Sequence, residues 1–145
     1  MTEVTFHFNA PDKVGHACRL LRKAVAAGAK VVVTGEAALL SELDVALWTF
    51  SPLDFIPHCR DSASPAAVVA ASPVVLAESA RTAPHQHVLV NLGAAVPEGF
   101  ERFERLIEVV TLDEADRQEA RRRWKHYADR GYAIERADLA PRETG

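Results

Sequence analysis

The sequence has few cysteines and no long hydrophobic run, and each lack excludes a class of protein. Its two cysteines, Cys18 and Cys59, are isolated from each other and indicate reduced thiols rather than a disulfide framework. No apolar run approaches the roughly 20 residues that a membrane span needs. Residues 1–3 lead directly into a strand-like run, which is not the pattern of a signal peptide. We therefore expect a cytoplasmic protein that does not contact the membrane.

An excess of positive charge is also lacking. The formal net charge of −3 argues against a protein whose main task is to hold a nucleic-acid backbone, so we expect no direct specific binding of nucleic acid. The positive charges are nevertheless concentrated late in the chain, where an anionic partner is expected to dock. This basic segment contains Arg117, Arg121, Arg122, Arg123, Lys125 and Arg130.

A nucleotide-binding loop is missing as well. The turn at residues 9–12, after the first predicted strand, has no glycine that would let backbone amides approach a pyrophosphate. The turn after the second predicted strand has one glycine, Gly35, and the carboxylate of Glu36 next to it would repel a phosphate. No phosphate loop with its lysine occurs elsewhere, and we expect no cofactor.

Motifs for catalysis or metal binding are equally scarce. His85 and His87 lie on one side of a predicted extended segment, a spacing that a metal could use. No third ligand is near in the sequence, which favours a surface loop. Neither Ser51 nor Ser79 lies in a Gly-x-Ser-x-Gly nucleophile elbow. We therefore assign no catalytic residue and no metal site.

The order of predicted elements indicates an α/β protein. Alternation over residues 4–8 predicts a strand, and the apolar run at residues 30–34 predicts a second strand covered on both faces. Helical spacing between Pro11 and Gly28 places a helix between them, and a second helix is predicted over residues 36–50. Such βαβ units predict a three-layer fold, a mostly parallel sheet flanked by helices, Rossmann-like but without a nucleotide-binding loop.

The second half of the chain is predicted to add strands to this sheet. Residues 65–71 form a loop or one short helical turn, and strands follow at residues 73–76 and 87–92. Residues 100–107 have the spacing of a helix. This helix runs into residues 107–110, which either continue it or form a strand, and their β-branched side chains favour the strand.

A final helix is predicted near the end of the chain. Acidic residues follow its start at about Asp113, Arg130 lies at its end, and Gly131 stops it. The segment from about residue 135 has little to bury and is expected to be a loosely ordered tail. Residues 1–145 are therefore expected to form a single domain that ends in this tail.

Aromatic residues gather where the second predicted helix ends. Trp48 lies one position past the apolar stripe of this helix and is turned about 100° away from it. Pro52 ends the helix, and a short extended run over residues 53–57 follows. Trp48, Phe50 and Phe55 are three of the eight Trp and Phe residues of the chain. They either close a helix-strand corner or form a contact surface. The stripe comprises Leu43, Ala46, Leu47 and Phe50.

One sector of the final helix sets an aromatic residue among cations. At about 100° per residue, this sector contains Arg117, Arg121, Trp124, Lys125 and Ala128, with Ala120 and Tyr127 on its flank. Two interpretations fit the pattern. In the first, Ala120, Trp124 and Tyr127 pack on the sheet while the basic side chains extend along the rim. In the second, the sector binds an acidic partner.

Two motifs resemble the chi subunit of bacterial DNA polymerase III, an accessory protein of the clamp loader. The first is Leu43-Asp44-x-Ala46-Leu47-Trp48 followed by Phe55-Ile56-Pro57-His58, and the second is Ala120-Arg121-x-Arg123-Trp124-Lys125-x-Tyr127. The resemblance covers nearly the whole chain in the order of its elements. It implies a non-catalytic subunit that links the clamp loader to single-stranded-DNA-binding protein.

For the final helix, the resemblance implies a pocket for the C-terminal tail of single-stranded-DNA-binding protein. That tail is acidic and ends in an apolar residue with a free carboxylate. Arg121 would pair with the terminal carboxylate, and Arg117 and Lys125 would attract the aspartates before it. Trp124 and Leu112 would form an apolar wall for the last side chain.

For the aromatic corner, the resemblance implies a second docking surface. Its residues are Trp48, Phe50, Phe55 and Pro57. The partner would be the psi subunit or an equivalent clamp-loader component, or a helicase that uses the same patch. Exposed aromatic residues beside prolines are reasonable anchors for a partner segment.

Two hypotheses of other classes remain. The chain could be an orphan nucleotide- or metal-dependent α/β enzyme whose motifs have drifted. It could also bind single-stranded DNA directly, with Trp124 as a stacking platform, although the net negative charge argues against this.

Overall fold

A computed structural model describes residues 1–49 and 56–139. The strands there are β1 (Glu3–Ala10), β2 (Val31–Thr34), β3 (His58–Arg60), β4 (Val74–Ala77), β5 (Val88–Asn91), β6 (Arg105–Thr111) and β7 (Ile134–Asp138). The helices are α1 (Lys13–Ala26), α2 (Ala37–Thr49), α3 (Ala66–Ala71) and α4 (Glu114–Asp129). The seven strands form one sheet in the order β3-β4-β2-β5-β6-β1-β7, and all of their pairings are parallel.

Helices cover both faces of this sheet. The central strand β2 is buried along its whole length, and successive side chains point to opposite faces. Val31 and Val33 pack with the apolar residues of α1 and α2, whereas Val32 belongs to a second core that includes Ala120 and Tyr127 of α4. The predicted three-layer α/β fold is therefore confirmed.

The ends of α1 and α4 follow from local chemistry. The side chain of Asp12 accepts a hydrogen bond from the N–H of Gly15 at the start of α1, and Asp113 accepts one from Asp116 at the start of α4. Gly28 and Gly131, just beyond the two helices, have φ angles of +81° and +80°, a conformation that costs other residues energy. The predicted bounds of α4 and the predicted end of α1 are confirmed, whereas α1 begins at Lys13, after Pro11 and its N-cap Asp12.

The predicted helix over residues 100–107 is wrong. Phe100–Arg102 form one 3₁₀ turn, and β6 begins at Arg105. Phe100, Phe103 and Leu106 are all buried on the α4 side of the sheet, because a tight turn followed by a strand can also present residues three apart to one core. The strand preferred for residues 107–110 is confirmed, since it is part of β6. Residues 65–71 contain the short helix α3.

The expectation of a loosely ordered tail from about residue 135 is wrong as far as Asp138. Strand β7 pairs with β1, and Arg136 stands opposite Phe6 in that register. The strand has little apolar surface because it is the last in the sheet order, and Ile134 and Ala137 are only half-buried. Residues 140–145 of the predicted tail lie outside the described part of the chain.

Two histidines meet between β1 and α1. Nδ1 of His7 lies 2.9 Å from Nε2 of His16, and the two imidazole rings pack edge to face. Burial, the His7 ring and the cations of Arg19 and Lys23 lower the pKa of His16 to about 4, although Asp12 acts in the opposite direction. Burial and Arg105 also lower the pKa of His7. The folded protein therefore favours two neutral imidazoles at this contact.

We expect this histidine pair to make the protein less stable in mild acid. The unfolded chain binds a proton at His16 near pH 6.5, whereas the folded chain does so only near pH 4, so the free energy of unfolding falls as the pH drops through this window. The melting temperature of His16→Gln should fall less between pH 7 and pH 5 than that of the wild type. His87→Gln, at an exposed histidine, is the control. Equal slopes for the wild type and His16→Gln would contradict the assignment.

Candidate functional site

A hollow of about 420 Å³ lies between α4 and the sheet, and we call it the basic hollow. Strands β1, β6 and β7 supply its floor and one side, and residues 117–124 of α4 supply the other side. Its lining consists of Phe6, Phe8, Val110, Arg117, Ala120, Arg121, Trp124 and Arg136. Elements from both ends of the chain therefore build one concave surface.

The floor of the basic hollow is apolar. Phe6 and Phe8 point to the same face because they are two residues apart in β1. The ring of Phe6 packs against the indole of Trp124, with 4.9 Å between centroids and a tilt of 49°. Phe6 and Val110 are buried, whereas Phe8 and Trp124 are only half-buried and keep part of their surface at the opening. This floor can take an apolar side chain from a partner.

Three guanidinium groups surround this floor. Arg121 Nη1 lies 3.5 Å from Glu114 Oε1, and the Arg121 side chain is 65% exposed, so the pair is weak. Arg117 and Arg136 are exposed, and no carboxylate in the described part of the chain lies within ion-pair distance of either. An apolar floor ringed by arginines is suited to an anionic ligand that also carries an apolar group.

The start of α4 is tied to the sheet by Asp116. Its carboxylate accepts a 2.8 Å hydrogen bond from the backbone N–H of Thr111 and lies 2.8 Å from Nζ of Lys13. Lys13 also donates to the carbonyl oxygen of Leu92, at 2.9 Å. Burial favours the protonated form of Asp116, but the hydrogen bonds from Lys13 and Thr111 outweigh it and lower its pKa. The first turn of α4 is thereby fixed directly before Arg117.

A buried polar network holds the middle of α4. Glu108 of β6 is fully buried, and its Oε1 accepts from Nε of Arg123 at 3.0 Å and from Nδ2 of Asn91 at 2.9 Å. Its Oε2 accepts from the hydroxyl of Tyr127 at 2.5 Å. Nη1 of Arg123 donates to the carbonyl oxygen of Ala94 at 2.8 Å. The network joins β5, β6 and α4, and it was not predicted from the sequence.

Electrostatics explain why the partners of Glu108 are needed. Burial raises the pKa of Glu108, and the guanidinium of Arg123 opposes this by stabilising the carboxylate. Burial and the neighbouring Glu108 raise the pKa of Tyr127 far above its usual value, so its hydroxyl keeps its proton and donates it. The sequence does contain one signal for this network. Glu108 lies in the β-branched run of β6, and an acid at such a buried position needs a partner.

The residues predicted for tail binding are only partly brought together. Arg117, Arg121 and Trp124 line the basic hollow, but Lys125 and Leu112 are not part of its lining. The Lys125 side chain is 76% exposed and lies 3.9 Å from Asp129, one helical turn further on. Leu112 is 59% exposed. The lining residues that the sequence analysis missed are Phe6, Phe8, Val110, Ala120 and Arg136.

Trp48, predicted for a second docking surface, lies on the exposed side of α2. It is 59% exposed, and its indole packs at 5.1 Å from the ring of His58. The ring nitrogens of His58 lie 2.8 Å from Asp44 Oδ1 and 2.7 Å from the carbonyl oxygen of Ile56. His58 thus joins the two halves of the first sequence motif.

Of the other three residues predicted for this surface, only Pro57 lies in the described part of the chain. Pro57 is exposed and borders a shallow depression of about 380 Å³ that also involves Val68 of α3. Phe50 and Phe55 lie outside the described residues. We call the surface around Trp48 and Pro57 the Trp48 corner.

Residues 1–49 and 56–139 offer little support for metal binding, cysteine chemistry or a membrane span. No group of three or more His, Cys, Asp or Glu side chains there is arranged to hold a metal ion. His87 accepts the backbone N–H of Lys30 at 3.2 Å, and both cysteines are buried. No helix in the same residues has the length and apolarity to cross a bilayer.

The chain is similar to known proteins along most of its length. Residues 1–135 match the family model described as DNA polymerase III chi subunit, HolC. A protein of Pseudomonas aeruginosa named DNA polymerase III subunit chi is 36% identical over 140 residues, which cover 93% of this chain and 95% of that protein. A protein of the same name from Haemophilus influenzae is 29% identical over 120 residues, 81% of each chain.

We expect the buried pair to be essential for stability. Arg123→Ala leaves the Glu108 carboxylate buried without its counter-charge, which should cost about 3–5 kcal/mol of unfolding free energy in a urea titration. Replacing both residues by leucine removes both charges and should recover part of this loss, because the buried hydroxyl of Tyr127 then has no acceptor. Arg122→Ala, at an exposed neighbour in α4, should change stability by less than about 0.5 kcal/mol. An equally small effect of Arg123→Ala would show that the pair is dispensable.

Proposed function

The chain belongs to the DNA polymerase III chi-subunit family, and from this membership we propose that it is a non-catalytic adaptor of the polymerase. In this role it links the clamp loader to single-stranded-DNA-binding protein by binding the acidic C-terminal tail of that protein. The observation that supports the tail site most directly is the basic hollow, in which Arg117 and Arg121 stand beside an apolar floor.

The proposed binding mode assigns each part of the tail to a part of the hollow. The terminal carboxylate pairs with Arg121, whose planar guanidinium can donate two parallel hydrogen bonds. The last apolar side chain enters the floor beside Phe6 and Trp124. Arg117 attracts acidic residues further upstream. Lys125 and Leu112 lie outside the lining, so we assign them at most peripheral contacts.

The Trp48 corner is the proposed surface toward the polymerase. A large exposed aromatic residue beside Pro57 offers an anchor that needs little reordering, because the indole already packs on His58. Val45, also on α2, is 64% exposed and extends the apolar surface. The proposed partner is the psi subunit or an equivalent clamp-loader component, or a helicase that uses the same patch.

Direct binding of single-stranded DNA is less well supported. A stacking platform needs a free aromatic face. The indole of Trp124 already packs against Phe6, and the guanidinium of Arg136 lies 5.8 Å from its ring. A gel shift with single-stranded DNA, in the absence of single-stranded-DNA-binding protein, tests this alternative.

We expect Arg121→Ala to weaken tail binding by about 1.5–3 kcal/mol, because a charge-assisted hydrogen bond is lost. Isothermal calorimetry with a synthetic tail peptide measures this effect. The affinity of the wild type should also fall as salt rises, since the contacts are exposed. Arg19→Ala, at an exposed residue of α1, is the control for net charge. Equal affinities of Arg121→Ala and the wild type would remove Arg121 from the site.

A pull-down from cell extract should show that the basic hollow and the Trp48 corner bind different partners. We expect Trp48→Ala to lose the clamp-loader component or helicase, since removing a central aromatic anchor typically costs about 2 kcal/mol or more. It should still retain single-stranded-DNA-binding protein. Arg121→Ala should show the opposite pattern, and mass spectrometry identifies the retained proteins. If Trp48→Ala retains the same proteins as the wild type, the Trp48 corner is not the docking surface.

A further inference from the structure

We infer that Arg136 is a further binding residue of the basic hollow, where it holds a carboxylate of an acidic peptide from the sheet side. The inference rests on the proposed function and adds a residue that lies outside both sequence motifs. Arg136 belongs to β7, the strand whose composition predicts a loose tail. It faces Arg121 across the hollow, one arginine on the sheet and the other on the helix.

The strand register fixes the position of Arg136. It stands opposite Phe6 in the parallel pairing of β1 and β7, so its side chain leaves the sheet on the α4 side. The guanidinium carbon lies 4.9 Å from the centroid of the Phe8 ring and 5.8 Å from that of the Trp124 ring. Both distances are within the range of cation–π contacts. Two aromatic rings therefore hold the cation at the edge of the apolar floor.

This packing leaves Arg136 ready to bind an anion. An aromatic ring contacts the face of a guanidinium, whereas the N–H donors point outward in its plane. No carboxylate in the described part of the chain pairs with Arg136, while Arg121 must first leave Glu114, 3.5 Å away. A side chain that is already positioned loses less conformational entropy when a ligand binds. Arg136 is thus the pre-oriented cation of the hollow.

Charge and shape identify the ligand as an acidic peptide segment. A free inorganic anion would use the arginines but not the floor of Phe6 and Phe8, and an apolar peptide would bring no anion to the three arginines. Lysine in place of Arg136 keeps the charge but not the planar fork that combines stacking with paired hydrogen bonds. The variant Arg136→Lys therefore distinguishes direct binding of a carboxylate by the guanidinium from long-range electrostatic attraction.

Calorimetry with a synthetic tail peptide of single-stranded-DNA-binding protein tests the inference. We expect Arg136→Gln to weaken binding about tenfold or more, and Arg136→Lys to restore only a minor part of the loss. Arg19→Gln, at an exposed arginine of α1 on the other face of the sheet, removes the same charge and should bind like the wild type. Thermal unfolding of each variant checks that the fold is retained.

Peptide variants show which carboxylate Arg136 contacts. One peptide carries a C-terminal amide, and a second carries asparagine in place of its aspartates. In a double-mutant cycle, Arg136→Gln should lose its effect with one of the two peptides, and either result supports the inference. If the effect persists with both peptides, or if Arg136→Gln binds like the wild type while Arg121→Ala does not, the inference is wrong and the proposed tail site stands. If the wild type does not bind the tail, the proposed function fails.

Discussion

The ion pair between Glu108 and Arg123 is the contact on which the arrangement of the site depends. It joins the middle of α4 to β6 beneath the helix, and Tyr127 completes it one turn later. Because both charges are withdrawn from water, the pair is satisfied only when α4 adopts one rotation about its axis. With Arg123 and Tyr127 turned inward, Trp124 lies about 100° around the helix from Arg123 and borders the cleft over β1 and β7, with Arg121 at its exposed rim. The buried pair of Glu108 and Arg123 thus determines which side chains of α4 line the basic hollow.

The second constraint is the parallel addition of β7 to β1. It returns the chain to its first strand and sets the guanidinium of Arg136 beside Phe8 and Trp124. The hollow is therefore assembled from β1, at the start of the chain, and from the three consecutive elements β6, α4 and β7 near its end. Its apolar floor belongs to the core, while its cations come from exposed positions. Such a site should be lost whenever β7 or α4 leaves the sheet, even if the remaining strands stay folded.

Much of this architecture could be predicted from the sequence, because its signals are local. Apolar runs identified the buried strands, and helical spacing with glycine stops identified α1 and α4. Helical spacing brought Arg117, Arg121 and Trp124 to one side of α4, where the structure also places them. The two arginines and the tryptophan that α4 contributes to the hollow could therefore be predicted from helical spacing.

The other features of the fold and of the site depend on contacts between segments, which the sequence of a single segment does not reveal. Strand β7 buries little, so its composition resembles that of a tail, and only its pairing with β1 makes Arg136 part of the site. Residues three apart around Phe100 fit a helix as well as a turn that leads into a strand. Lys125 was included because it follows Arg121 by one helical turn. The lining reaches Trp124 but not Lys125, and Lys125 lies out in solvent near Asp129.

The chain has only two tryptophans, one at each proposed surface, so a single spectrum can locate the tail. A titration of ¹⁵N-labelled protein with the tail peptide of single-stranded-DNA-binding protein, followed through the two indole N–H signals, is the most direct test. Binding in the basic hollow predicts that the Trp124 signal moves with peptide concentration while the Trp48 signal stays in place. Movement of the Trp48 signal alone, with Trp124 unchanged, would contradict the account.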